Sequence, residues 1–199
     1  MKENSLNNLT KIIQNCISKE QEIPVLKYKT PTELKDDLTI PQKGRDDEGF
    51  FKVLEDVVRY TPKTASRKFF NQLFGGRMEP AVLADMLVPF LNNSMYTYKV
   101  GGIQVLIEQE VIRKMCLHVG FPYGDGTFAP GGSLSNLVAM IIGRNEKKST
   151  IKDKGLDGSN YIVYTSDQAH YSITKNANTI GIGKENVCKW KATTLGKWI

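Results

Sequence analysis

Four short stretches of the sequence bring chemically useful side chains together. In Ala129-Pro130-Gly131-Gly132-Ser133-Leu134-Ser135-Asn136, two glycines precede two hydroxyls at the start of an apolar-periodic segment. Glycines allow a tight turn, a helix start offers unpaired N–H groups and a positive dipole end, and serines add donors. That combination can cradle a phosphate. The plainer alternative is an ordinary helix start with Ser133 as its N-cap. The turn is neither a Walker A loop nor a G-x-G-x-x-G fingerprint, since it has no Gly-Lys-Ser/Thr and the wrong glycine spacing.

The second stretch, Tyr164-Thr165-Ser166-Asp167-Gln168-Ala169-His170-Tyr171-Ser172, follows an apolar run that reads as a strand. Open α/β sheets place their ligand loops at the carboxyl ends of strands. There His170 can stack on a flat ligand or carry protons, or it can be a structural histidine held by hydrogen bonds. Third, Phe69-Phe70-Asn71-Gln72 offers amides for a substrate carboxylate, although most such amides satisfy backbone. Fourth, Met95-Tyr96-Thr97-Tyr98 offers aromatic walls, with core packing as the alternative. Glu108 and Glu110 point in different directions on a helix, so they do not read as an acid/base pair.

These stretches need elements to hold them. Residues 1 to about 20 read as a polar helix with one narrow stripe, Leu6, Leu9, Ile13 and Ile17, suited to packing on something outside itself. Glu22 to Gly49, punctuated by Pro24, Pro31, Pro41 and Gly44, reads as an extended connector. Asp46 or Asp47 caps a helix through Tyr60 with Phe50, Val53, Leu54, Val57 and Val58 inside, and Thr61-Pro62 ends it. Helices follow over Glu79–Asn92, with Leu83, Met86, Leu87, Phe90 and Leu91 facing the core, and over Ile103–His118, with Ile103, Leu106, Ile107, Val111 and Met115 inward. After the Gly120–Gly131 loop, Leu134, Leu137, Val138, Ile141 and Ile142 complete the helical template. A strand at 161–165, a helix from Ser172 to Ile180, a Gly181–Gly183 turn and a strand at 186–191 imply an α/β layer with a parallel sheet.

Composition narrows the classes. Of the 199 residues, 40% are hydrophobic and 24% charged, as in a soluble globular protein. No apolar run approaches the ~20 residues that span a bilayer, and the N-terminus lacks a secretory pattern. Cys16, Cys116 and Cys188 are odd in number and form no CxxC pair, which suggests neither a disulfide framework nor a zinc site. Cytoplasm is the expected compartment. The net charge of +6 is densest from Arg144 to Lys154, a stretch without interleaved aromatics. It reads as a solvated surface loop, and no nucleic-acid or membrane partner is expected.

Together and in this order the stretches resemble the group II pyridoxal-5′-phosphate (PLP) dependent decarboxylases, the glutamate, cysteine-sulfinate, aspartate and aromatic amino-acid enzymes. The matching segments are FFNQL (69–73), MYTY (95–98), IEQEVIRKM (107–115), GDGTFAPGGSLSN (124–136) and YIVYTSDQAHYSITKNANTIGIGKENV (161–187). The likeness is nearest to the glutamate and cysteine-sulfinate branch. It implies an α/β architecture of fold type I (aspartate aminotransferase-like), with a dimer-contacting N-terminal segment at 1–68 and the first part of the PLP-binding large domain at 69–199. It also implies that Gly132, Ser133, Leu134 and Ser135 hold the PLP phosphate and that His170 stacks on the pyridine as the catalytic histidine. Gln72, Tyr96 and Tyr98 would contact an amino-acid substrate, and the enzyme would be a homodimer.

Two departures bear on the substrate. Ser66-Arg67 stands where the family carries a His-Pro pair, and Lys99 with Gly101-Gly102 stands where an acidic residue is usual. The family's pyridine-nitrogen aspartate and Schiff-base lysine belong downstream of the GIGKENV segment. Lys175, Lys184 and Lys189 do not match the lysine's motif, so the 199-residue chain alone is expected to be inactive.

Overall fold

A computed structural model describes residues 3–37, 41–71 and 73–192. It separates into two compact units, residues 1–93 and 94–199.

The first unit is helical. α1 (Glu3–Lys19) packs on α3 (Asp47–Tyr60), burying Ile12, with Leu9 and Cys16 half-buried. The expected stripe is therefore rotated: Leu6 and Ile17 stay exposed. α3 begins where Asp46 accepts the Gly49 N–H at 2.8 Å, and stops at extended Thr61 before Pro62. Its expected inward set is only partly covered, since Phe50 and Val57 are exposed.

The connector is not wholly extended. Pro31–Asp37 forms a short helix, α2, started by a capping box. The Thr30 N–H and hydroxyl donate to the Glu33 carboxylate at 2.7 and 2.8 Å, and the Glu33 N–H donates back to Thr30 Oγ1 at 3.3 Å. The Thr-x-x-Glu spacing with Pro at the first helical position outweighed the proline punctuation. The chain between α3 and α4 (Glu79–Leu91) is tied back by two links. Lys63, buried, donates to the Val58 and Thr61 carbonyls, and Arg77 pairs with buried Glu20 at 2.5 Å.

In the second unit a short helix, α5 (Tyr98–Gly101), leads into α6 (Ile103–His118). The following loop folds back on α6. Gly124 lies so close that a Cβ there would meet Cys116 Sγ at 3.0 Å, and Glu108 accepts from Thr127 Oγ1 and the Phe128 N–H, both at 3.2 Å. Glu110 instead pairs with Arg113 at 2.8 Å, so the two carboxylates do act apart.

α7 (Gly132–Lys147), a turn of helix α8 (Ile151–Lys154), β1 (Val163–Ser166), α9 (Ser172–Thr179), a 3₁₀ turn (Lys184–Asn186) and β2 (Val187–Trp190) complete the unit. β1 and β2 pair in parallel, with Val163 opposite Val187 and Ser166 opposite Trp190. The core of this unit is Ala177, Ile180 and Ile182, against which Leu137, Met140, Ile141, Tyr161, Val163 and Val187 pack. Arg144 closes the far end of α9 by donating to the Ile180 carbonyl at 2.9 Å.

The basic stretch 144–154 is not a solvated loop: it holds the end of α7, helix α8 and buried Ile151. The apolar residues expected to face a core on α4 and α6 (Leu83, Met86, Leu87, Phe90 and Leu91; Ile103, Leu106, Ile107, Val111 and Met115) are exposed. Helical periodicity marks surface that favours burial without specifying what covers it. No helix among the described residues is long and apolar enough to cross a membrane.

The core makes a paired prediction. Ile180→Ala, at a residue 7% exposed, should cost about 2–5 kcal/mol in urea unfolding. Ile142→Ala, at a residue 61% exposed, should stay within about 0.5 kcal/mol. A second prediction concerns the loop ahead of β1. The hydrogen bond from Lys148, then those from Ser159, hold the Asp157 carboxyl well below its ordinary value of 3.8. A depressed carboxyl stabilises the fold above the ordinary value, and that contribution is lost as pH falls through the folded value. Carboxyl NMR should show Asp157 titrating below its ordinary range, and Lys148→Ala should return it upward.

Candidate functional site

The site is built where two helices begin. α7 starts in the glycine turn and α9 starts just after the carboxyl end of β1, in the loop carrying His170. Two side-chain links join these starts: Asn136 Nδ2 donates to Ser172 Oγ at 2.9 Å, and Asn176 Nδ2 donates to the Ser133 carbonyl at 2.9 Å. The positive ends of both helices are thereby held together, which favours an anion beside them.

Gly131 has φ 93° and ψ 158°, a region essentially restricted to glycine. A Cβ at Gly131 or Gly132 would meet no atom within 4 Å, so the turn's outer side is open to an approaching group. The N–H groups of Gly132 and Ser133, the first two helical residues, precede any intrahelical acceptor. The Leu134 and Ser135 N–H groups, by contrast, donate to the Gly131 carbonyl, each at 3.1 Å. The Ser135 hydroxyl also donates to that carbonyl, at 3.2 Å. The open donors of the turn are therefore the two backbone N–H groups and the Ser133 hydroxyl. Residues 131–135 are all exposed. A groove of about 470 Å³ lies beside them, lined by Asp125, Thr127, Ala129, Ser135, Val138 and Ile142 among others.

The His170 ring is exposed and lies 4.2 Å, centroid to centroid, from the Tyr171 ring. Its Nδ1 is engaged twice: Ser172 Oγ lies at 2.8 Å, and the Ser172 backbone N–H donates to it at 3.2 Å. Ser172 is 0% exposed, and buried polar atoms require partners, which it has in Asn136 and His170. The loop is pinned in turn by Asp167, whose N–H donates to the Trp190 carbonyl at 2.8 Å and whose Oδ1 accepts from the Ala192 N–H at 3.1 Å.

Of the residues expected from the sequence, Gly132, Ser133, Leu134, Ser135 and His170 are brought together by these links. Tyr96 and Tyr98 lie at the start of α5, 79% and 61% exposed. Their side chains make no hydrogen bond or ring contact among the described residues. Gln72 lies outside the described residues. Sequence reasoning did not single out Asn136, Ser172 and Asn176. The usable signal for one of them was His-x-Ser at a helix start, a spacing that lets a serine's N–H and hydroxyl both return to the same imidazole nitrogen.

The donors fit the phosphate of a phosphorylated ring compound, and an exposed imidazole tethered to the same helix starts fits a flat ring. Residues 31–194 match the pyridoxal-dependent decarboxylase conserved domain. The acidic amino acid decarboxylase GADL1 of Bos taurus is 38% identical over 193 residues, 94% of this chain and 37% of that protein. The cysteine sulfinic acid decarboxylase of Mus musculus is 38% identical over 178 residues, 88% of this chain and 36% of that protein. The crystal structure of mouse CSAD superposes with a TM-score of 0.93 at 36% identity, covering 99% of this chain and 43% of that one. The chain thus spans little more than a third of the length of the curated relatives it matches.

The turn makes its own prediction. Gly131→Ala places a Cβ on a backbone that side chains avoid and should cost about 1–3 kcal/mol in urea unfolding. Gly132→Ala, already helical and with open space around it, should leave stability unchanged or raise it by up to about 1 kcal/mol.

Proposed function

Because the chain belongs to the pyridoxal-dependent decarboxylase family, we propose that it forms part of an enzyme that removes the α-carboxylate of an amino acid as CO₂. Its fold is the α/β architecture of fold type I, in the first part of the large domain. The observation that carries the reading is the double link, Asn136–Ser172 and Asn176–Ser133, which sets an anion-binding turn and an exposed imidazole on one frame.

In this reading the N–H groups of Gly132 and Ser133, with the Ser133 hydroxyl, hold the cofactor phosphate. Leu134 adds backbone at the same turn, and the Ser135 hydroxyl closes the turn from within. His170 lies along the cofactor ring, orients it and shields it from water. When bound, PLP supplies an electron sink for the charge left as a carboxylate departs. Gln72, Tyr96 and Tyr98 are proposed as substrate contacts. Lys175, Lys184 and Lys189 do not match the motif of the family's Schiff-base lysine. The covalent attachment is proposed to need a lysine elsewhere in the full-length enzyme, and the 199-residue chain alone is proposed to be inactive.

An acidic amino acid, such as glutamate, aspartate or cysteine sulfinate, is the proposed substrate class, supported by the named activities of the relatives. Ser66-Arg67 and Lys99 are this chain's departures from the family pattern. The full-length enzyme is proposed to be a homodimer contacted by the N-terminal segment 1–68, supported by the exposed Leu6 and Ile17 on α1. Three free cysteines support a reducing, cytoplasmic compartment.

The test is product analysis. Full-length protein with PLP and each acidic amino acid should release CO₂ and the matching amine, with no oxo-acid. An oxo-acid product without CO₂ would instead make it an aminotransferase, and absence of any turnover with a panel of amino acids would contradict an enzymatic role. Light scattering should give twice the chain mass.

A further inference from the structure

Ser172 sits at the centre of the network that joins the two helix starts to His170. It is fully buried, yet it carries three polar links: the hydroxyl oxygen receives Asn136 Nδ2 at 2.9 Å, the same oxygen lies 2.8 Å from His170 Nδ1, and its backbone N–H donates to that nitrogen at 3.2 Å. The proton assignments follow from this arrangement. A backbone N–H can only donate, so His170 Nδ1 must be an acceptor and carry no hydrogen. With the Asn136 amide donating into the Ser172 oxygen, the single hydroxyl proton is free to point at Nδ1 as a second donor. The geometry therefore places the ring hydrogen of His170 on Nε2.

We propose that Ser172 is a positioning residue that fixes both the tautomer and the ring orientation of His170, with Asn136 orienting the Ser172 hydroxyl from the phosphate-binding helix. The arrangement couples the two halves of the site. Asn136 stands one helical turn from Ser133, so whatever orders the α7 start also orders the hydroxyl that holds the imidazole. The consequence for the chemistry is directional. His170 offers its ring faces and one N–H donor at Nε2, while Nδ1 is engaged by Ser172. The inference rests on the proposed use of His170 against a cofactor ring, but the tautomer itself can be read without any cofactor.

The chain has two histidines, His118 and His170, and His118 lies exposed at the end of α6. In the 199-residue chain, histidine labelled with ¹⁵N gives a two-residue spectrum in which His118 is an internal reference. At neutral to mildly basic pH, His170 should show a pyridine-type Nδ1 and a pyrrole-type Nε2 without averaging. In Ser172→Ala, which removes the hydroxyl and leaves the backbone N–H in place, those two shifts should move part of the way toward the averaged pattern of a solvent-exposed imidazole, while His118 stays in place. Asn136→Asp serves as the second variant, because it replaces the donor to Ser172 Oγ with an acceptor that competes for the hydroxyl proton. It should produce the same averaging without emptying a buried site. A wild-type His170 protonated at Nδ1 would overturn the proposal, as would an unaveraged spectrum retained in both variants. Absence of decarboxylation by the full-length protein, with the wild-type tautomer confirmed, would count against the reading of function and leave the Ser172 assignment standing.

Discussion

The candidate site depends on one buried hydroxyl. Ser172 Oγ is shut off from solvent, and it is the point at which α7, α9 and the His170 loop meet. A buried polar atom without partners costs about 1–3 kcal/mol, whereas a fully satisfied one adds direction to the packing around it. Here the satisfied network does what apolar contact alone cannot. Ala177, Ile180 and Ile182 bring the two helices against each other, but such contact is non-directional and would tolerate sliding. The Asn136–Ser172 and Asn176–Ser133 bonds fix the register, so that both helix N-termini open at the same place.

Much of this was legible in the sequence, for physical reasons that can be named. The helix at Asp47–Tyr60 is marked by its aspartate cap and its Thr-Pro stop. The α7 start is marked by Gly-Gly-Ser followed by a full apolar template, and the strand-helix-strand order near the C-terminus predicts the parallel pair. The capping box at Thr30 was legible as well, but four nearby prolines and glycines drew the reading toward an extended chain. What sequence patterns could not supply was the pairing of polar side chains far apart in the chain. Asn136 and Ser172 are 36 positions apart, and only the packing of α7 on α9 makes them neighbours.

The apolar faces of α4 and α6 carry the complementary lesson. Their periodicity correctly gives helices, yet Leu87, Phe90, Ile103 and Met115 lie exposed. A hydrophobic face states that burial is favourable and leaves open which surface provides it. The relatives are more than twice as long as the matched span, so these faces are where the rest of an enzyme of that kind would have room to pack.

The central claim is that residues 131–135 and His170 together receive a ring bearing a phosphate. Titration calorimetry of the full-length protein with pyridoxine 5′-phosphate and with pyridoxine tests it most directly, since neither carries an aldehyde that surface lysines could capture. Charge-assisted hydrogen bonds from the turn contribute about 1.5–3 kcal/mol, so the phosphorylated compound should bind at least about tenfold more tightly, at one site. Equal affinity for the two compounds would contradict the account, because the glycine turn would then contribute nothing to holding the ring beside His170.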